Sequence, residues 1–197
     1  MESYVCEATV VFCDIRNFTA LIEKQNPIEA VTFANDVLAE LGNEIENNGG
    51  TVDRFTGDGF MAHFGVDDEV PDHPIAACKA VLDLRKRLVS INSERYMREE
   101  LVVNAGMGVH TGEVAVGNIT TGRSTQLTIL GDTVNTASRI EELTKFFAVD
   151  ALFSETTRMR LNDRFSFRKM PLKELKGKNR KVQTYWLLPT NQNIDNS

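Results

Sequence analysis

The sequence predicts an α+β fold built on a βαββαβ core sheet with helices over one face. Three observations carry this. Val5–Phe12 is apolar at nearly every position and rich in β-branched residues, the pattern of a strand covered on both faces. A strongly periodic helix follows it. A short hairpin, a second long helix and a further strand come next, an order that lets the first strand and the hairpin share one sheet.

The first strand runs into Asp14. Asn26-Pro27-Ile28-Glu29 then offers an N-cap, a proline at the first helical position and a glutamate three residues after the cap. Ile28, Val31, Ala34, Val37, Leu38, Leu41 and Ile45 recur at helical spacing, and Gly49-Gly50 ends the helix. Thr51–Phe55 and Phe60–Phe64 flank Gly57-Asp58-Gly59, which reads as a hairpin with an aspartate at its tip. A second helix is predicted from about Asp72 to Asn92, with Ala76, Ala77, Ala80, Val81, Leu84, Leu88 and Ile91 on one side. Leu101–His110 and Ser124–Leu130 read as strands, and Asp132 is expected to cap a helix reaching about Lys145. Apolar stretches at Val149–Phe153, Phe165–Phe167 and Val182–Leu188 complete the pattern.

With 197 residues and 22.0 kDa, the chain is read as one domain over residues 1–189 followed by a polar tail at 190–197. There is no internal repeat and no Ser/Gly-rich linker. A composition of 42% hydrophobic and 25% charged residues excludes a disordered or fibrous class. No apolar run reaches the roughly 18–20 residues a membrane helix needs, and the start lacks a secretory pattern. Cys6, Cys13 and Cys78 have neither disulfide nor zinc spacing and read as reduced thiols of a cytoplasmic protein. His63, His73 and His110 are scattered and read as structural.

The net charge of −6 argues against a nucleic-acid-coating protein. Its distribution is uneven: between Arg168 and Lys181 seven basic residues stand against the single acid Glu174. Such a run is a solvated loop unless a small polyanion binds there.

Two constellations carry chemistry. Asp14 at a strand end and Asp58 at a hairpin tip can converge beyond one edge of the sheet. Close carboxylates repel unless a cation lies between them, and oxygen donors without His or Cys select Mg²⁺ or Mn²⁺. Turn aspartates are also ordinary caps. The second constellation, Asn135 and Arg139, places an amide and a guanidinium four residues apart on one helix face. Arginine's planar fork suits phosphate, though it could equally pair with Glu142.

Five segments together resemble the successive motifs of a class III nucleotidyl cyclase catalytic domain. They are Phe12-Cys13-Asp14-Ile15-Arg16-Asn17-Phe18-Thr19, Gly49 through Asp58, Gly108-Val109-His110-Thr111-Gly112-Glu113, Leu130 through Arg139, and Leu175-Lys176-Gly177-Lys178. They fall in family order across residues 5–188. The resemblance implies a ferredoxin-like cyclase sandwich and an adenylate cyclase that converts ATP to 3′,5′-cyclic AMP and pyrophosphate.

By position, the resemblance implies that Asp14, Asp58 and the Ile15 carbonyl hold two Mg²⁺ or Mn²⁺ ions. Arg139 would stabilise the transition state and Asn135 orient the ribose. Lys176 would hold the terminal phosphates, and backbone amides from Arg16 to Thr19, with Phe18 and Thr19 among them, would receive phosphate oxygens. Arg54 and Thr128 occupy the base-reading positions. A head-to-tail homodimer is implied, with the metal aspartates on one chain and Arg54, Thr128, Asn135, Arg139 and Lys176 on the other. The proton acceptor stays open between Asp14, a substrate oxygen and water.

Two departures bear on the purine. Adenylate-forming members usually carry Lys where this chain has Arg54, and guanylate-forming members Glu. Thr128 stands where many adenylate-forming members have Asp, and resembles the bicarbonate-responsive subgroup, so bicarbonate is a candidate effector. A guanylate cyclase and a catalytically weak nucleotide-binding or dimerisation module are the alternatives. A two-metal polymerase or dinucleotide cyclase also competes, but Asn135, Arg139 and Lys176 set this chain apart from it. An upstream regulatory domain or partner is compatible with this segment.

Overall fold

In the computed structural model, β1 (Tyr4–Ile15) is the axis of the sheet. The structure describes residues 3–23, 26–66, 72–122, 124–161, 163–174 and 181–189. β1 pairs antiparallel with β3 (Gly59–Phe64) on one side and β4 (Ala105–Thr121) on the other, with Asp14 opposite both Gly59 and Gly106. β2 (Thr51–Phe55) completes the edge beside β3. Beyond β4 come β6 (Ala151–Ser154), β10 (Thr184–Leu187) and β7 (Phe167–Lys169), while β5 (Ser124–Leu130) folds back on the far half of β4. β8 (Lys173–Glu174) and β9 (Lys181–Val182) form a separate small pair.

The alternation of β1 sorts the layers. Val11, Cys13 and Ile15 face a core shared with α2 (Pro27–Asn47) and α3 (His73–Met97). Ala8 and Val10 face a second core, which takes Val134 and Ala137 from α4 (Asp132–Phe147). The one-face expectation therefore holds for the two core helices and does not extend to α4, which lies on the opposite face. The physical reason is that β1 and β4 are apolar on both sides, and a sheet with two apolar faces needs two covers. Contact there is close: a Cβ at Gly108 would collide with the backbone of Glu141 and Ala137, so α4 rests almost on the strand.

α2 starts as read. The Asn26 side chain accepts from the amides of Ile28 and Glu29 at 3.0 Å each, and Glu29 accepts from the Asn26 amide at 3.3 Å. Several boundaries differ, among them the end of α3, which runs to Met97 and not to about Asn92. Residues 101–104 are irregular, and β4 instead continues to Thr121 because β1 and β5 supply partners along its whole length. Gly131, with φ 144°, occupies the cap of α4, and Asp132 sits in its first turn. A short α1 (Phe18–Ile22) follows β1, which the apolar pattern does not separate from the turn. α5 (Glu155–Arg160) is likewise an addition, capped by the Ser154 side chain accepting from the Thr157 amide.

All three cysteines are free thiols; Cys13 and Cys78 are buried, which pushes both upward in pKa, while Cys6 is only half-buried. Among the described residues no helix is long and apolar enough to cross a membrane.

Candidate active site

The aspartate pair is built by backbone pairing. β1 carries Asp14 to the sheet edge, and the hairpin between β2 and β3 carries Asp58 to the same edge. The Ile15 amide donates to the Asp58 carbonyl at 2.8 Å, which locks the two together. Gly59 allows this closure, since a Cβ there would collide with the Cys13 carbonyl. Asp14 keeps about a fifth of its side chain exposed.

Burial pushes the Asp14 carboxyl above its ordinary pKa; the Lys145 hydrogen bond opposes this, and the Asp58 charge adds to it. Lys145, near the end of α4, places Nζ 3.2 Å from Asp14 Oδ2. An ammonium therefore already partners this carboxylate, and the neighbouring Asp58 charge asks for further cation. Two carboxylates and a backbone carbonyl at a solvent-open edge fit a hard divalent ion that completes its shell with phosphate and water. Among the described residues no group of three or more His, Cys, Asp or Glu is placed to hold a metal ion.

Behind Asp14 lies a buried polar group that sequence reasoning missed. Arg16 Nη1 donates to Glu141 at 2.9 Å, and its other terminal nitrogen donates to Thr144. Burial pushes the Glu141 carboxyl up to about 7, with Arg16 opposing and Asp14 adding to the rise. The pair anchors α4 to the end of β1. Only the position of α4 over β1 joins these residues, which lie 125 apart in sequence.

Arg54 and Thr128, the residues expected to read the base, gather elsewhere, around Asp53. Arg54 directs Nη2 to the Met61 sulfur at 3.6 Å, with Nε 3.8 Å from Asp53 Oδ2. The Thr128 hydroxyl donates to that same oxygen at 3.1 Å. The Arg54 side chain is 43% exposed, whereas Asp53 is 1% exposed. Thr128 itself is buried.

Asn135 and Arg139 lie on the outward side of α4, opposite the buried Val134, Ala137, Ile140 and Glu141. Among the described residues neither forms an ion pair or hydrogen bond with an aspartate of the candidate metal site. Asn135 stands ten residues before Lys145, the α4 residue that touches Asp14. At 1.5 Å per residue that is about 15 Å of helix. One chain thus brings Asp14, Ile15 and Asp58 together at one strand end, and sets Asn135 about 15 Å of helix before the residue that touches Asp14, with Arg139 between the two. Of the amides expected to receive phosphate, that of Arg16 donates to the Asn104 carbonyl at 2.7 Å instead, while Phe18, stacked on Phe33 at 6.2 Å, and exposed Thr19 open α1 two residues later. Lys176 lies outside the described residues.

Residues 2–189 match the family described as "Adenylate and Guanylate cyclase catalytic domain". An adenylate cyclase from Anabaena cylindrica is 35% identical over 184 residues, covering 90% of this chain and 36% of that protein. The chain thus spans about a third of that curated relative's length. The crystal structure of the adenylyl cyclase CyaB from P. aeruginosa superposes with a TM-score of 0.88 at 28% identity, covering 98% of each chain. That of the guanylyl cyclase Cya2 gives 0.87 at 27% identity, covering 100% of this chain and 99% of the other. Relatives of both substrate names therefore share this architecture. The chain belongs to the adenylate and guanylate cyclase catalytic domain family.

Proposed function

We propose that the protein is an adenylate cyclase, which closes ATP to 3′,5′-cyclic AMP with release of pyrophosphate at a site shared by two chains. The observation that carries this reading is the split geometry. The carboxylate pair is latched by the Ile15–Asp58 hydrogen bond at one sheet edge, while Asn135 and Arg139 face outward along α4. A second copy, turned head to tail, supplies what each half lacks. Exposed Phe55, Ile119, Leu127 and Leu130 on β2, β4 and β5 offer apolar surface for that contact.

Asp14, Asp58 and the Ile15 carbonyl hold two Mg²⁺ or Mn²⁺ ions. Bound there, the ions supply Lewis-acid activation of the ribose hydroxyl and neutralise the departing phosphates. Amides at Phe18 and Thr19 receive phosphate oxygens from the same side. From the other chain, Asn135 fixes the ribose so that its 3′-oxygen lies in line with the α-phosphorus. Arg139 faces the charge that grows on the α-phosphate. Lys176 holds the terminal phosphates as pyrophosphate leaves, the task that suits the basic run from Arg168 to Lys181. Arg54 donates to the bare ring nitrogen of adenine, and Thr128 accepts from its amine. The proton from the 3′-hydroxyl passes to Asp14, a substrate oxygen or water.

The catalytic domain in this reading is residues 1–189, with 190–197 as a tail. ATP as substrate fits a cytoplasmic setting and an upstream regulatory domain or partner. Thr128 alone supports bicarbonate as an effector, and a flat response to bicarbonate at constant pH removes it.

Incubation with ATP or GTP and Mn²⁺, with pyrophosphate and cyclic nucleotide measured together, tests the reaction. Cyclic AMP and pyrophosphate in equal amounts are expected. Neither product from either nucleotide would sink the cyclase reading and leave a nucleotide-binding or dimerisation module.

A further inference from the structure

Asp53 is a charged side chain in an unusual position. The pairing of β2 with β3 skips register between Val52 and Arg54, so Asp53 sits in a bulge. Bulges re-aim side chains, and this one leaves the Asp53 carboxylate 1% exposed instead of in solvent. Burying a carboxylate is costly unless its oxygens are bonded. Here Oδ2 accepts the Thr128 hydroxyl at 3.1 Å and lies 3.8 Å from the Arg54 Nε. Asp53 therefore touches the side chains at both base-reading positions.

The direction of the Thr128 bond follows from chemistry. An ionised carboxylate can only accept, while a hydroxyl has one proton and two lone pairs. A free threonine hydroxyl can rotate to meet a donor or an acceptor on the base. With its proton committed to Asp53, Thr128 has only lone pairs left to offer. Adenine carries an amine at position 6, which matches. Guanine carries a carbonyl there, which meets a second acceptor.

Resting on the adenylate reading above, we propose that Asp53 is a positioning residue for base selection, which holds the Thr128 hydroxyl as an acceptor and so biases the site toward adenine. Asp53 acts through Thr128 and need not touch the nucleotide. β5 stays attached to β2 without this side chain, because Gln126 Nε2 donates to the Asp53 backbone carbonyl at 3.1 Å.

The test is the ratio of kcat/KM for ATP to that for GTP. Asp53→Ala and the volume-filling Asp53→Leu should each lower it roughly tenfold, the scale of one hydrogen bond. Asp53→Asn, whose amide oxygen can still accept, should largely retain it. In a Thr128→Val background, Asp53→Ala should lower the ratio no further. Should neither acceptor-free variant fold, the unmodified protein decides with purine riboside triphosphate, which lacks the 6-amine: ATP should be used clearly better, and equal use overturns the proposal. An ATP preference that persists in Asp53→Ala and Asp53→Leu, or that falls equally with and without the Thr128 hydroxyl, overturns the role of Asp53 and leaves the adenylate reading standing. A GTP preference in the unmodified protein overturns the adenylate reading and this proposal with it.

Discussion

The Ile15 amide donates to the Asp58 carbonyl at 2.8 Å, so the hairpin carrying one aspartate is tied to the strand residue next to the other. Main-chain pairing, not a side-chain contact, thus sets the position of the two carboxylates. Such a site survives loss of a carboxylate, because the scaffold does not depend on it.

Asp14→Ala and Asp58→Ala should therefore each remove nearly all turnover while the fold stays intact. The Asp14–Lys145 pair is lost in the first variant, but Lys145 is 59% exposed. An exposed pair contributes at most about 1 kcal/mol, and relief of carboxylate repulsion offsets part of it. Melting temperature, Mn²⁺ binding by calorimetry and cyclic nucleotide production check this. Full turnover by either variant, or turnover undiminished in excess chelator, contradicts the metal assignment.

Glu141 makes the fold itself pH-sensitive. Burial raises its carboxyl from an unfolded value near 4.5 to about 7. Between these values the folded chain binds more protons than the unfolded one, so stability falls as pH rises through the window and levels off above it. Glu141→Gln keeps an acceptor for Arg16 and removes the titration. The melting temperature of the unmodified protein relative to this variant should therefore drop between pH 5 and pH 8. Parallel curves would show that Glu141 does not titrate there.

Much of this was legible in the sequence, for identifiable reasons. Asp14 and Asp58 were readable because a strand end and a hairpin tip are local features, and sheet pairing brings them to one edge. Asn135 and Arg139 were readable because helical spacing alone puts them on one face. Glu141, Lys145 and Asp53 were not. The first two meet Arg16 and Asp14 only because α4 lies over β1, on the face where no helix was expected. Asp53 is buried by a bulge, and strict strand alternation gives no sign of one.

Arg139→Ala should lower kcat by about 10²- to 10³-fold with little change in KM, because preorganised charge aimed at the transition state acts on kcat. Arg139 is half-buried and takes part in none of the described ion pairs, so its removal should leave the melting temperature nearly unchanged. Steady-state kinetics decide: a change confined to KM would assign Arg139 to substrate binding instead.

Two inactive variants should rescue one another. In a head-to-tail dimer, a chain with Asp14→Ala paired with a chain bearing Arg139→Ala forms one intact site and one doubly damaged site. Random exchange makes half of the dimers mixed, giving roughly a quarter of the unmodified activity. Equimolar mixing after demonstrated subunit exchange tests this, and absence of recovery would mean that each site is built within one chain.

In the adenylate reading, Arg54 bears on the choice of purine from the donor side. Its guanidinium can only donate, which suits the bare ring nitrogen of adenine and leaves the N–H of guanine without an acceptor. The same guanidinium could reach the guanine carbonyl, so the preference for ATP should be modest: a site discriminates strongly only when the wrong ligand leaves a buried group unpaired. Arg54 is also held from behind, by the Met61 sulfur at 3.6 Å and the Asp53 carboxylate at 3.8 Å. Lysine at this position has a single ammonium on a flexible stem in place of a planar fork, and so reaches fewer acceptors at once. Arg54→Lys should consequently raise the ratio of kcat/KM for ATP over GTP by several-fold, chiefly by losing GTP. Measurement of both nucleotides in both proteins decides it, and a lower ratio in the lysine variant would show that the arginine fork is itself the adenine-selective element.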